Sequence, residues 1–261
     1  MEKIAIIELN TSSLNLVFAE VNKNKSFLVY DRVCVPCNLL KDFEQENIIK
    51  STIVKEVVTV LSVFKRMIDE QQIVETICVA SNKLAEAKNQ NGFLNEIFSI
   101  TNLKFNILPY EEEIGYIYTA VINSFNKPKG LIINVSEFAT EVLLYNRRNI
   151  LNTQILPFGA VSLTEKFANL SSTEFNNAVK DYVLEQISGL DWALNLDDEY
   201  EIIGAGKVFL NLGEISRRAK KYPISCEHNY TVTFDDFNKV YSVVSQLDIA
   251  KNSKIKGVSA V

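Results

Sequence analysis

The chain has a single histidine, His228, and that scarcity removes two classes of chemistry. No Ser-His-Asp relay and no multi-histidine metal centre is expected from one imidazole. Cysteine is sparse too: Cys34, Cys37, Cys78 and Cys226. Cys34-Val35-Pro36-Cys37 has the C-x-x-C spacing of redox and zinc motifs. Zinc needs a second pair of ligands, however, and Cys78 and Cys226 stand alone in sequence. A thioredoxin-like motif would sit between a strand and a helix start, whereas this one ends an extended stretch. The spacing therefore reads as coincidental. There is no long uncharged apolar run, and Met1-Glu2-Lys3 leads straight into a strand rather than a signal peptide. A cytoplasmic protein with no membrane partner is expected. A net charge of -5 gives no general reason to expect nucleic acid, although local basic clusters can still hold an anion.

What is present describes a folded α/β protein. The 261 residues are 47% hydrophobic and 23% charged, enough for one large domain or two ordinary ones. The organising stretch is LIINVSEFATEVLLY, Leu131 to Tyr145: a buried strand, a small polar turn, and a second strand. IIELNTSSLNLVF from Ile6 and IINVSEFATEVLL from Ile132 superpose without a gap. Two such units suggest two similar domains with polar turns facing one cleft; shared hairpin patterning is the plainer explanation. Backbone N–H groups and short side chains at such turns can approach a ligand.

In chain order, strands are expected over Lys3 to Leu9, Leu14 to Val21 and Phe27 to Cys34. In the first turn, Asn10, Thr11, Ser12 and Ser13 can hydrogen-bond a phosphate, or simply make an Asx/Ser turn. Period-3.6 patterning predicts a helix from Glu44 to Gln72, with Val54, Val57, Val58, Leu61, Phe64 and Ile68 on one face. Val74 to Ala80 reads as a strand, Asn89 to Ile100 as a helix and Lys104 to Leu108 as a strand. Tyr110 to Ser124 is a helix whose first turn holds Glu111, Glu112 and Glu113, favoured there by the dipole. Successive helical residues turn by about 100°, so one carboxylate can face inward as a general base while its neighbours are solvated.

Asn126-Lys127-Pro128-Lys129-Gly130 marks a boundary, giving domains 1-125 and 126-261. Strands at Leu131 to Val135, Glu141 to Tyr145 and Asn149 to Phe158 lead to helices at Ser162 to Ala168 and Ser172 to Leu194, the latter capped by Ser171 or Ser172. Glu201 to Ile203 runs into Gly204-Ala205-Gly206-Lys207, which can admit a phosphate or serve as a tight strand–helix turn. Arg217, Arg218, Lys220 and Lys221 read as a solvated helix end.

These segments together resemble the exopolyphosphatase / guanosine pentaphosphate phosphohydrolase family. The resemblance is carried by IAIIELNTSSLNLVFAEV, VASNKLAEAKNQNGFLNEI, NILPYEEEIGYIYTAV, LIINVSEFATEVLLY, ILPFGAVSLTEKF, IIGAGKVFLNLGEISRRAKKYP and EHNYTV. It implies two ribonuclease-H-like domains of the actin/hexokinase/Hsp70-like ATPase superfamily, with an interdomain cleft. It also implies Mg²⁺-dependent release of terminal phosphate from polyphosphate or from pppGpp. Glu113 falls on the water-activating glutamate and Glu141 on the carboxylate after the second phosphate loop. Glu8, Asn134 and Glu141 fall at the metal. Asn10, Thr11, Ser12, Ser13, Ser136, Thr140, Gly204, Gly206 and Lys207 fall at the phosphates. Polyphosphate or a guanosine nucleotide is the implied partner, with a homodimer left open.

The departures are substantial. The first loop, usually D-x-G-[ST]-N-S, is Glu8-Leu9-Asn10-Thr11-Ser12-Ser13. The second, usually D-x-G-G-G-S-T-E, is Asn134-Val135-Ser136-Glu137-Phe138-Ala139-Thr140-Glu141, without a glycine. A family arginine corresponds to Ala85, and G-x-G-G-T becomes Gly204-Ala205-Gly206-Lys207-Val208. Missing glycines hinder backbone closure on phosphate. Glu137 and Phe138 place a charge and a ring where a polyanion would sit. Weak or lost hydrolysis is expected, with a non-catalytic nucleotide- or protein-binding relative as the alternative. Family members continue past the position of Val261, so the second domain is expected to be incomplete.

Overall fold

The computed structural model describes residues 1–40, 43–224 and 228–245. Cys226, Glu227 and the stretch from Lys256 to Val261 lie outside them. The chain divides into two compact units, Met1 to Glu113 and a second from Ile114 onward.

The first unit opens with an antiparallel meander of β1 (Glu2–Leu9), β2 (Ser13–Val21) and β3 (Phe27–Pro36). Ala5, Ile7 and Leu9 are buried with exposed Glu8 between the last two, the alternation expected of a pleated strand. After a short helix α1 (Phe43–Glu46), helix α2 (Ser51–Glu70) buries Val54, Val57, Val58, Leu61, Phe64 and Ile68. The helix expected from Glu44 is thus two pieces. Asn47 takes φ +53, and the Asn89 side chain holds Ile49 by both backbone groups, accepting from its N–H (2.9 Å) and donating to its carbonyl (2.8 Å). Those bonds compete with a continuous helix. Strand β4 (Glu75–Ala80) runs parallel to β1. Helix α3 (Gln90–Thr101) then leads to β5, which is only Asn106–Ile107, shorter than expected. The sheet order is β3-β2-β1-β4-β5.

Helix α4 (Tyr110–Ser124) contains the division between the units. In the second unit, β6 (Lys129–Val135), β7 (Thr140–Asn146) and β8 (Asn149–Leu156) form a second antiparallel meander. Strand β9 (Glu201–Ala205) lies parallel to β6, giving the order β8-β7-β6-β9. The first four strands of each sheet therefore share order and direction. Ile114, Val121, Ile132, Leu143, Tyr145 and Ile203 pack on one face. Leu131, Val142, Leu144, Leu156, Phe158 and Leu190 pack on the other. Burial on both faces explains why β6 and β7 are continuous apolar runs rather than alternating ones.

The helices of this unit differ from expectation at their ends. Helix α5 (Ala160–Lys166) starts two residues early, because Ser162 Oγ accepts the Gly159 N–H at 2.8 Å and completes the N-terminus there. Helix α6 (Ser172–Ile187) stops before Gly189, and Leu190 turns into the core ahead of α7 (Asp191–Leu194). The Ser171 cap is as expected, with its hydroxyl donating to Glu174 at 2.6 Å. Strand β9 extends through Ala205, so Gly204 is a strand residue and Gly206 alone makes the turn into α8 (Lys207–Ala219). The last described helix is α9 (Phe234–Val244). No described helix is long and apolar enough to cross a membrane.

The gapless sequence superposition is also a structural one. Leu9 pairs with Leu14 across the first hairpin, and Val135 with Thr140 across the second, at equivalent positions. Each four-residue turn is closed by the same bond: Asn10 N–H to Ser13 O, and Ser136 N–H to Ala139 O, both 2.9 Å.

The burial pattern of α2 gives a direct test. Leu61→Ala should lower unfolding free energy in urea by about 2–5 kcal/mol. Val63→Ala, at a position 40% exposed, should change it by under about 0.5 kcal/mol.

Candidate functional site

The turn of the second hairpin is held from three sides by its own unit. Ser136 Oγ donates to Ala139 O (2.9 Å) and accepts from Ala139 N–H (3.2 Å). Thr140 is buried, and its hydroxyl donates to Phe158 O at 2.8 Å. The first N–H groups of α5 point at the turn: Ala160 N–H donates to Ser136 O (2.9 Å), and Val161 and Ser162 N–H donate to Glu137 O (2.8 and 3.1 Å). A helix N-terminus offers such donors to an anion. Here they satisfy the carbonyls of the turn. Gly159 makes this approach feasible, since a Cβ there would lie 2.5 Å from the backbone of Ser136, Glu137 and Phe138.

The first hairpin is built likewise. Thr11 is buried, and the Thr11 and Ser12 carbonyls accept from Leu39 N–H (3.0 Å) and Cys37 N–H (2.9 Å). Ser13 Oγ accepts from Asn15 Nδ2 at 3.3 Å. The segment after β3 thus clamps this turn, a backbone role for Cys37 that its C-x-x-C spacing did not suggest. Cys37 is buried and Cys34 exposed. Burial, with the Glu56 carboxylate adding, pushes the Cys37 thiol up to about 11, away from the thiolate that redox or metal chemistry needs. Cys78, also buried, is raised to about 11 by the same desolvation.

The carboxylates sit in matched register pairs. In the first hairpin Glu8 lies opposite Asn15, and Asn15 Nδ2 donates to Glu8 Oε2 at 2.9 Å. In the second Asn134 lies opposite Glu141, and Asn134 Nδ2 donates to Glu141 Oε2 at 2.9 Å. The same couple occurs twice with its strands exchanged. Glu8 is exposed, whereas Glu141 is buried and depends on such partners. Asn15 was missed in the sequence; the constant offset of the repeat, which sets it at the place of Glu141, was the available signal. Among the described residues no group of three or more His, Cys, Asp or Glu could hold a metal ion. The implied magnesium fits this donor set poorly. An amide N–H of Asn134 already faces the Glu141 carboxylate, and a donor hydrogen is the wrong pole toward a cation that requires oxygen lone pairs.

The glycine turn has packing reasons of its own. A Cβ on Gly204 would lie 2.2 Å from the Phe209 ring. Gly206 has φ +82 and ψ 176, a glycine-only conformation, and a Cβ there would meet Asn134 Oδ1 at 2.4 Å. The absent side chain makes room for the asparagine that binds Glu141. Lys207 is exposed at the start of α8.

Glu113 occupies the first turn of α4, half-buried where Glu111 and Glu112 are exposed. Its N–H donates to Pro109 O at 3.1 Å. Ala85 is exposed on a short 3₁₀ turn, Asn82–Glu86, where Lys83 pairs with Glu86 at 2.7 Å. Three of the four basic side chains, Arg217, Arg218 and Lys220, are paired within the second unit. Arg217 and Arg218 both bind Glu214, and Lys220 binds Asp236. The Lys220 ammonium, helped by the Thr233 hydroxyl, holds the Asp236 carboxyl down at about 2.

Two sheets with one shared strand order define a two-domain α/β protein of the actin/hexokinase-like class. A sequence profile of the Ppx/GppA phosphatase family matches residues 19–261, and the chain belongs to that family. The structure of an exopolyphosphatase from Cytophaga hutchinsonii is similar with a TM-score of 0.87 at 18% identity, over 98% of this chain and 84% of that one. A Ppx/GppA family member from Aquifex aeolicus gives 0.81 at 20% identity, over 99% and 84%. Both show the fold. A bifunctional 3-dehydroquinate synthase/phosphatase of Fusobacterium nucleatum is 24% identical over 249 residues, 90% of this chain and 37% of that protein. The chain thus spans little more than a third of that relative's length.

Two measurements check these assignments. Gly206→Ala should lower stability by about 1–3 kcal/mol, read from chemical denaturation, because it combines a forbidden backbone region with displacement of Asn134. In the folded protein at neutral pH, iodoacetamide should label Cys34 and spare Cys37, as peptide mass spectrometry would show.

Proposed function

We propose that this chain is an exopolyphosphatase/pppGpp-phosphohydrolase relative in which phosphate release is weak or lost. The observation that carries this reading is the state of the second hairpin turn. Ser136, Thr140 and the N-terminal N–H groups of α5 all have partners within the unit. Phosphoryl transfer depends mainly on positioning and charge stabilisation, so a turn whose donors point at its own backbone offers little of either. Losing a single aligned donor from an anion-stabilising site typically costs about 10²–10³-fold in rate.

In this reading Glu113 is the group that would accept a proton from attacking water, favoured by its half-buried place at a helix start. Glu141 would act through the geometry of the second hairpin. Thr11, Ser12, Ser13 and Lys207 would be the remaining contacts to phosphate. Mg²⁺ and the choice between polyphosphate and pppGpp belong to the reading as quantities to be measured. A second reading, a non-catalytic relative binding a nucleotide or a protein, is favoured by the internal satisfaction of both turns. The activity and partners of any longer protein that contains this chain are part of the same proposal.

The test is phosphate release from long-chain polyphosphate and from pppGpp in the presence of Mg²⁺, beside Glu113→Gln. The expected result is release just above background in the wild type and none in the variant. Robust turnover, or release that Glu113→Gln leaves unchanged, would overturn the reading. No release from either protein, with a bound nucleotide detected by calorimetry, would establish the second.

A further inference from the structure

We propose that in each hairpin an asparagine amide takes the place of a divalent cation, so that the carboxylates Glu8 and Glu141 are held without metal. This rests on hairpin geometry alone and stands apart from whether the chain hydrolyses anything.

The chemistry of the couple fixes its orientation. An ionised carboxylate only accepts, so the asparagine must turn its NH₂ toward the glutamate and its carbonyl oxygen away. In the second hairpin that oxygen has a defined place, against the bare Cα of Gly206, where an added Cβ would come within 2.4 Å of it. The amide is therefore gripped at both ends, by Glu141 at 2.9 Å and by the glycine turn. A cation approaching from the asparagine side would meet N–H hydrogens in place of lone pairs. Mg²⁺ tolerates this least, because it demands near-octahedral oxygen ligands.

The first hairpin repeats the device independently. Glu8 and Asn15 occupy the register positions of Asn134 and Glu141, with acid and amide exchanged between the strands. One charge facing one neutral donor across a strand pair carries no like-charge repulsion. Two carboxylates there would repel each other and require a proton or a cation between them.

The test compares wild type with Asn134→Asp, and with Asn134→Asp combined with Glu141→Gln, which recreates the acid-first order of Glu8 and Asn15. Each is titrated with Mn²⁺, the free ion being followed by electron paramagnetic resonance, and melted with and without millimolar MgCl₂. Wild type should show no Mn²⁺ site that depends on Glu141 and no change in Tm with Mg²⁺. Asn134→Asp should melt several degrees lower without cation, recover most of that loss with Mg²⁺, and gain one Mn²⁺ per chain. The double variant should lose both responses. Asn15→Asp makes the same comparison at the exposed couple and serves if Asn134→Asp does not fold. One Mn²⁺ bound to wild type and abolished by Glu141→Gln would overturn the proposal. So would failure of both aspartate variants to gain an ion.

Discussion

Each half of this protein depends on a tight turn whose carbonyls are satisfied from outside the hairpin. The turn between β1 and β2 receives N–H groups from Cys37 and Leu39, and the turn between β6 and β7 receives them from the start of α5. A turn of four residues leaves backbone acceptors that cannot pair within it, and burying them without donors would cost about 1–3 kcal/mol each. These bonds fix where the chain goes next. After β3 it must run back across the first turn before α2 can begin. After β8 it must bring Gly159 against the second turn before α5 can begin. Placement of the flanking helices follows from turns that are short and internally closed.

That constraint also explains which glycines are present. The phosphate-loop positions of the second hairpin hold Ser136, Glu137, Phe138 and Ala139, so the loop itself has no glycine. Glycine stands instead at contacts made with the hairpin from other elements. Gly159 admits the turn's backbone and Gly206 admits the Asn134 side chain, while Gly204 makes room for Phe209 of α8 rather than for the hairpin. A glycine in a loop that closes on phosphate serves the ligand; a glycine facing that loop serves the fold. Here the second kind is kept, and the turn is closed by hydrogen bonds from its own unit.

Much of this architecture could be read in the sequence because it is written in periodicity. The gapless match of Ile6 and Ile132 marked both strand–turn–strand units; their cross-strand register came from the structure. The period of α2 named every residue that it buries. Element ends were less legible because they are decided by distant side chains. Asn89 holds the backbone of Ile49 outside a helix from forty positions away, and Leu190 enters the core just after a helix ends. The site residues were legible as types but not as partners. Glu8, Asn134 and Glu141 stood out as candidate ligands, while Asn15 looked like an ordinary strand residue. What makes Asn15 matter is its place opposite Glu8, a property of pairing that no single strand displays. The basic cluster was correctly read as a helix end, and the added detail is tertiary: Asp236, from a different helix, binds Lys220.

The swapped couples bear on how a carboxylate pair and the stability of its hairpin are linked. A paired aspartate and glutamate need something positive between them, so a site of that kind ties the stability of the hairpin to its ligand. Replacing one acid by its amide removes the repulsion, supplies an N–H donor to the remaining carboxylate at little change of shape, and leaves one charge. Either strand can carry the amide, since the two positions face each other across the pair. Both solutions occur in this one chain. On the proposal made above, the hairpin is complete without a cation, and Glu137 and Phe138 stand in a turn whose carbonyl at Glu137 is satisfied by α5. Stability and chemistry, coupled when two acids face each other, become separable once one of them is an amide.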